Sequence, residues 1–89
     1  MEGLDAELRF FRDVEGREVD FVQMVGGQPV RFVECKVAET TISPALLYLH
    51  RKFSQVPASQ VILSRGVDRV GTEGVRLVSA ERFLAELAV

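Results

Sequence analysis

The stretch VRFVECKV, residues 30–37, has the apolar, β-branched composition of a buried strand, yet it carries a glutamate and a lysine two positions apart. Because successive side chains of a strand point to opposite faces, Phe32, Glu34 and Lys36 share one face. Charged groups are costly in a buried strand unless they have partners. The stretch therefore predicts a central strand with a polar site on one of its faces.

Two strand-like segments precede this stretch, so the chain is expected to begin as an antiparallel meander. Alternation in the second segment would put Val19 and Phe21 on one face, and Asp20 and Val22 on the other with Glu18. Turn residues separate the segments. Strands are expected at 7–12, 17–25 and 30–37, with a turn at 13–16 and a hairpin connection at 26–29.

The periodicity becomes helical after residue 37. Ser43 followed by Pro44 is typical of a helix start, and a stripe of apolar residues follows at helical spacing, at Leu46, Leu49 and Phe53. A helix between two strands usually returns the chain beside the first strand in a parallel sense. The sequence therefore predicts a crossover helix.

The rest of the chain predicts further strands and a last helix. Strands are expected at 60–65 and 75–79, with a glycine-rich loop or ragged hairpin at 66–74. Ser79 would cap a helix whose apolar positions are Phe83, Leu84, Leu87 and Ala88. We expect a single α/β domain over residues 1–89, with a mixed sheet flanked by helices in the order β-β-β-α-β-β-α.

The length of the hairpin loop decides whether polar side chains on the second and third strands meet. With a three-residue loop at 26–28, the numbers of any two paired residues add up to 54. Asp20 then lies directly opposite Glu34. Opposed Cβ atoms are about 4.5–5.5 Å apart. A loop of two or four residues would shift the pairing by one and separate the carboxylates onto opposite faces, unless a bulge compensates.

Two adjacent carboxylates and a lysine are the parts of a metal-dependent phosphodiesterase. Carboxylates this close repel each other, and a divalent cation removes that conflict. Mg²⁺ uses one or two protein carboxylates together with water and phosphate oxygens. Lys36 beside the ion could polarise the attacking water or stabilise charge on a phosphate. The alternative interpretation of Asp20, Glu34 and Lys36 is a cross-strand salt bridge.

Asp20, thirteen further residues and then Glu34-Cys35-Lys36 together resemble the D…(D/E)xK motif of restriction-endonuclease-like nucleases. The hairpin and crossover helix resemble that fold too. The resemblance implies that Asp20 and Glu34 ligate Mg²⁺ or Mn²⁺, with the backbone carbonyl of Cys35 as a further ligand. It also implies that Lys36 is the catalytic lysine.

More narrowly, ELRFFRDVEGREVDFV followed by PVRFVECKV looks like the nuclease-like domain at the C-terminus of prokaryotic AAA-type ATPases. The resemblance covers 7–65 clearly and 75–88 loosely. No G-x-x-x-x-G-K-[ST] phosphate loop occurs in this chain, so the ATPase part is absent from it, and we expect a fragment, an excised domain or a remnant. The fold usually has an N-terminal helix, which is expected here to be shortened, missing or supplied by another chain. Apolar sheet surface left without that helix would favour a homodimer.

Several other side chains have weaker functional interpretations. Glu7 or Glu18 could add acidity near the carboxylate pair, and Arg51 and Lys52, in the basic segment 50–53, could contact phosphates. Solvated surface positions are the alternative for both basic residues. Cys35 is expected to be a small buried side chain on the face opposite Glu34.

Composition limits the classes of function. The net charge of −2 argues mildly against a broadly basic nucleic-acid surface. No apolar run could cross a membrane, no secretory signal is present, and a single cysteine allows no intrachain disulfide, so a cytoplasmic location is expected. The predicted function is Mg²⁺-dependent hydrolysis of nucleic acid, with DNA as the expected partner. The alternatives are a catalytically silent interaction or dimerisation module and, more weakly, an antitoxin-like partner protein.

Overall fold

The computed structural model describes residues 6–87. Their elements, in chain order, are β1 (Ala6–Arg12), β2 (Glu18–Val25), β3 (Gln28–Lys36), α1 (Pro44–Lys52), β4 (Ala58–Ile62), β5 (Asp68–Val70), a 3-10 turn (Thr72–Gly74), β6 (Arg76–Ser79) and α2 (Ala80–Leu87). Ala88, expected among the apolar positions of the last helix, lies outside the described range. None of the helices in this range is long and apolar enough to span a membrane.

The strands form one six-stranded mixed sheet with the order β1-β2-β3-β4-β6-β5. The first three strands are an antiparallel meander, β4 lies parallel to β3 and β6 parallel to β4, and β5 pairs antiparallel with β6 at the edge. This confirms a mixed α/β domain with an antiparallel start and a crossover helix. The ragged hairpin expected at 66–74 contains β5, and the strand expected at 60–65 begins earlier, at Ala58.

Helix α1 forms the larger part of the core. Ser43 is its N-cap and accepts a hydrogen bond from the Leu46 N–H at 3.5 Å, and Pro44 occupies the first turn. The helix packs on β2, β3 and β4. Its buried partners in the sheet and connecting loops are Val19, Val22, Phe32, Ile42, Ala58, Ile62, Val75 and Leu77.

Helix α2 covers the opposite face only in part. Phe83 packs with Val33, Val61 and Val78 in a second, smaller cluster. Around that cluster large apolar side chains remain exposed, among them Leu8, Phe10, Phe21, Leu84 and Leu87. Ser79 does not cap this helix through its hydroxyl as expected; the oxygen accepts a hydrogen bond from the Val67 N–H at 2.8 Å.

A β-bulge in β2 overturns the expected alternation of that strand. Two residues of β2, Asp20 and Phe21, lie opposite one residue of β1. The extra residue returns Val19 and Val22 to the same face, where both are buried against α1. The prediction that Val19 shares a face with Phe21 is therefore wrong, since Phe21 lies on the α2 side and is 41% exposed.

Candidate metal centre

A second bulge, in β3, brings the two carboxylates into register. The hairpin loop has two residues, Gly26 and Gly27, whose φ angles of 58° and 78° suit a tight turn. The pairing register shifts by one residue at Gln23. On the side of this shift away from the loop, the residue numbers of the pairs Phe21–Val33 and Val22–Phe32 sum to 54. The loop therefore has two residues and not the three for which the pairing was derived, and the bulge compensates and preserves that pairing.

The Asp20 and Glu34 carboxylates each accept a hydrogen bond from a backbone N–H of the opposite strand. The Asp20 N–H donates to Glu34 Oε1 at 3.2 Å, and the Cys35 N–H donates to Asp20 Oδ2 at 2.9 Å. Each carboxylate thus takes the place of a backbone acceptor just beyond the Phe21–Val33 pair. The two acidic groups are fixed side by side by the strands that carry them.

Burial and the neighbouring acid both act on Glu34, which is only 6% exposed. Burial raises the pKa of Glu34, and Asp20 raises it further through a side-chain hydrogen bond and charge repulsion. The Asp20 N–H and the Ser43 side chain act in the opposite direction, because both hydrogen-bond to the Glu34 carboxylate. Without a cation, burial and the neighbouring acid therefore both favour the protonated form of Glu34.

Lys36 lies in the same cleft as the two acids. The cleft has a volume of about 390 Å³ and runs between the start of α1 and the β1–β2 turn. Its lining residues are Gly16, Arg17, Glu18, Asp20, Glu34, Cys35, Lys36, Ser43, Pro44 and Ala45. The nearest anionic partner of Lys36 is Glu39, with Nζ and Oε2 3.9 Å apart. Within residues 6–87 no ion pair joins Lys36 to Asp20 or Glu34, which disfavours the simple salt-bridge interpretation.

Cys35 contributes its backbone to the site. The N–H and C=O groups of a strand residue point to the same neighbouring strand, so the Cys35 carbonyl lies on the Asp20 side of β3. Its side chain is exposed, contrary to the expectation of a buried position, because α2 covers that face of the sheet only in part. Partial burial and then the charges of Asp20 and Glu34 raise the pKa of the thiol, which disfavours a reactive thiolate.

The two additional acids have different positions. Glu18 lines the cleft but accepts a hydrogen bond from Arg12 Nε at 2.6 Å. Glu7 lies on β1 away from the cleft lining and pairs with Arg9 at 2.9 Å. Of these two acids, only Glu18 lies close enough to the carboxylate pair to add negative charge to the site.

The two basic residues lie at the far end of α1. Arg51 is paired with Glu73, and Lys52 Nζ lies 5.8 Å from the centre of the Tyr48 ring. With a rise of about 1.5 Å per residue, the last turn of α1 is roughly 10 Å from its first turn at the cleft. The structure does not bring Arg51 or Lys52 to the carboxylate pair.

Two residues near the acids are not evident from the sequence as part of the site. Ser43 has the pattern of a helix cap, although its side chain also contacts Glu34. Gln60 is fully buried on β4, directly beside Glu34 in the parallel register. The sequence feature that could have indicated a role for Gln60 is a glutamine within the strand ASQVI, because a buried amide must find hydrogen-bond partners.

The donor set fits a hard divalent cation. Among residues 6–87 no group of three or more His, Cys, Asp or Glu side chains is arranged to hold a metal ion. Two carboxylates and a backbone carbonyl fit Mg²⁺ or Mn²⁺ when water and phosphate oxygens complete the coordination. The burial of Glu34 beside a second carboxylate, which raises its pKa, is the observation that favours a cation here.

Fold and cleft together define a small mixed α/β domain with an acidic pair and a lysine at one face of a β-hairpin. The sequence model of one family matches residues 1–83, and the chain belongs to this family, described as a domain of unknown function (DUF4143). The domain is found in AAA-ATPase-associated proteins. A search of curated proteins gives no match, and neither does a search of solved structures.

Proposed function

We propose that this domain is a Mg²⁺- or Mn²⁺-dependent hydrolase of nucleic-acid phosphodiesters, of the restriction-endonuclease-like type. The observation that carries the proposal is the contact between Asp20 and Glu34, two acids that cross-strand hydrogen bonds hold together in a cleft that also contains Lys36. The D…ExK resemblance, the antiparallel meander and the crossover helix support it.

In the proposed site, Asp20 and Glu34 hold the ion, with the Cys35 carbonyl as a further ligand. When bound, the ion would activate a water molecule and offset negative charge on the phosphate. Lys36 orients that water or stabilises the charge that develops on the phosphoryl oxygens. Ser43 donates to Glu34 and holds the carboxylate in place.

The reaction needs no oxidant and no further co-reactant. The water oxygen forms a bond to phosphorus as the bond from phosphorus to the leaving oxygen breaks. A water proton passes to solvent, and the leaving oxygen takes one up. The expected substrate is DNA, in a single-stranded, duplex or branched form.

A cleavage assay with variants of two basic residues, one in the cleft and one outside it, tests the proposal. Wild-type protein is incubated with labelled single-stranded, duplex and branched DNA in Mn²⁺, and again with a chelator. We expect Mn²⁺-dependent cleavage that Lys36→Ala lowers by roughly 10²–10³-fold, which is typical of the loss of a group that stabilises transition-state charge.

Arg69→Ala is the control, because this exposed basic residue lies on the edge strand β5 and outside the cleft lining. It should cleave at the wild-type rate. Equal loss in both variants would trace the activity to general charge, and unchanged cleavage in both would trace it to a contaminating nuclease. The absence of cleavage on every substrate would count against the enzyme.

A catalytically silent interaction or dimerisation module is the second candidate. The observation that favours it is the exposed apolar surface beside α2, formed by Leu8, Phe10, Phe21, Leu84 and Leu87. Sedimentation equilibrium would show a dimer that Leu84→Asp dissociates. A silent module should also show no change in melting temperature with Mn²⁺, and Asp20→Ala should be neutral or stabilising because it removes like-charge repulsion.

A further inference from the structure

Gln60 holds the segment that leads from β3 to α1. Its side chain is 0% exposed, and its amide nitrogen donates to the carbonyls of Glu39 and Thr41 at 2.9 and 3.0 Å. Its Oε1 accepts from the Ser43 N–H at 2.8 Å. Both donors and the acceptor of one buried amide are thus directed at a single stretch of chain, residues 39–43.

The segment has little else to hold it. No backbone–backbone hydrogen bond among residues 6–87 involves positions 38–42. Ile42 packs in the core, but residues 38–41 are exposed. The path of this stretch over the sheet is therefore determined largely by Gln60.

The end of that segment touches the acidic pair. Ser43 is the last residue of that segment. It lines the same cleft as Glu34, hydrogen-bonds to the Glu34 carboxylate and caps α1. Gln60 and Glu34 are register partners on adjacent parallel strands, so both project from the same face of the sheet. The amide thus fixes Ser43 above the carboxylate that Ser43 contacts.

We propose that Gln60 is a positioning residue that sets the orientation of Glu34 by holding Ser43 against it. An apolar side chain would fill a strand of this composition without needing any partner, whereas a buried amide is costly unless it is fully hydrogen-bonded. The hydrogen bonds that the Gln60 amide makes to residues 39–43 explain why this buried position holds an amide. The metal readout below rests on the proposed function, and the amide readout does not.

The experiment compares Gln60→Leu with Ser79→Ala, a matched variant. Ser79 is also buried, and its hydroxyl likewise anchors a loop by accepting from the Val67 N–H, but the residue lies outside the cleft lining. Both variants lose a buried side-chain contact to a loop and should be destabilised. Only Gln60→Leu should disturb Glu34.

The hydrogen-exchange rate of the Asp20 amide reports on the position of Glu34, because the Asp20 N–H donates to Glu34 Oε1. In Gln60→Leu we expect the Ser43 and Asp20 amides to exchange at least roughly tenfold faster relative to the core amides of β4, and Mn²⁺ affinity to fall about 10–100-fold. In Ser79→Ala both readouts should match wild type.

Wild-type exchange at Asp20 in Gln60→Leu, with only Ser43 released, would overturn the proposal and leave Gln60 as a loop anchor. If Gln60→Leu does not fold, Ser43→Ala carries the test, since it removes the contact to Glu34 but keeps the Ser43 N–H bond to Gln60. Unchanged Asp20 exchange in that variant would also overturn it. If wild-type protein binds no Mn²⁺, the proposed function fails while the exchange result still decides the role of Gln60.

Discussion

The two faces of the sheet are built from alternate residues of the same strands, but they are completed to different degrees. On the α1 face the apolar side chains are buried, and the polar residues Glu34 and Gln60 are buried with them. On the α2 face a small cluster around Phe83 is surrounded by exposed apolar side chains. The face that is fully covered is thus the one that also buries charge and amide groups in hydrogen bonds.

This difference shows where the chain makes interactions that core packing alone would not require. A hydrophobic core would be satisfied by apolar residues at 34 and 60, yet both positions hold polar groups whose contacts lead to one cleft. The exposed apolar residues on the α2 face have a simpler explanation, because α2 covers that face of the sheet only in part. The functional hypothesis therefore belongs to the α1 face and the interaction hypothesis to the α2 face.

The largest expected effect comes from making the same substitution on the two helices. Leu46 is 0% exposed, so Leu46→Ala should lower the free energy of unfolding by about 2–5 kcal/mol through a cavity in the core. Leu84 is 62% exposed, and Leu84→Ala should change it by less than about 0.5 kcal/mol. Urea unfolding measures both. A comparable loss at Leu84 would mean that another chain covers the α2 face in solution.

Ser43→Ala should cost about 1 kcal/mol, because the residue caps α1 and contacts Glu34. Ser54→Ala, at an exposed position just beyond the helix, is the control and should remain within about 0.5 kcal/mol of wild type. Thermal and urea unfolding measure the change in the free energy of unfolding for both variants. Equal values for the two serines would show that the cap has no measurable role.

A smaller effect is expected in the pH dependence of stability. Because the pKa of Glu34 is raised above its ordinary value of 4.5, the folded protein keeps a proton that the unfolded chain releases. The stability linked to this proton is full below that value and is lost as pH rises through the raised pKa. Each tenfold difference in proton affinity between the folded and unfolded chains contributes about 1.4 kcal/mol.

Glu34→Gln removes this titration while keeping an oxygen that can accept from the Asp20 N–H. The difference in unfolding free energy between the variant and wild type, measured by urea at several pH values, should increase in favour of the variant from pH 4.5 upward. A difference that does not change with pH would show that Glu34 titrates normally.

The smallest effect is expected at Cys35, whose side chain is exposed and whose contribution to the site is its backbone. Cys35→Ala should leave stability within about 0.5 kcal/mol of wild type and Mn²⁺ affinity unchanged. A large loss of affinity would mean that the thiol, and not the main chain, takes part in the site.

The meander, the crossover helix and the acidic pair can be predicted from the sequence, because alternation and the Ser43-Pro44 cap are local signals. The two bulges cannot, since an extra residue leaves no mark in a run of strand-forming side chains. A three-residue loop predicts the pairing of Asp20 with Glu34, and a two-residue loop with a bulge at β3 gives the same register. The separate bulge in β2 explains why simple alternation wrongly assigns Val19 and Phe21 to one face.

The role of Gln60 escapes sequence reasoning for a different reason. Its partners Glu39, Thr41 and Ser43 lie about twenty positions away along the chain, and only the parallel pairing of β3 with β4 brings them together. The exposure of Cys35 escapes it because strand alternation predicts a face but not whether a helix covers that face. Local patterns thus predict the elements, whereas burial depends on the topology.

The measurement that tests the central claim most directly is calorimetric titration of Mn²⁺ into wild-type protein, Asp20→Asn, Glu34→Gln and Glu39→Gln. Glu39 is the matched control, because it is an exposed carboxylate near Lys36 that lies outside the acidic pair. We predict one site with a dissociation constant below about 1 mM, lost in the first two variants and kept in Glu39→Gln, as expected when two carboxylates share one ion. No binding at millimolar Mn²⁺, or binding that survives the loss of either acid, would contradict a shared metal site at Asp20 and Glu34.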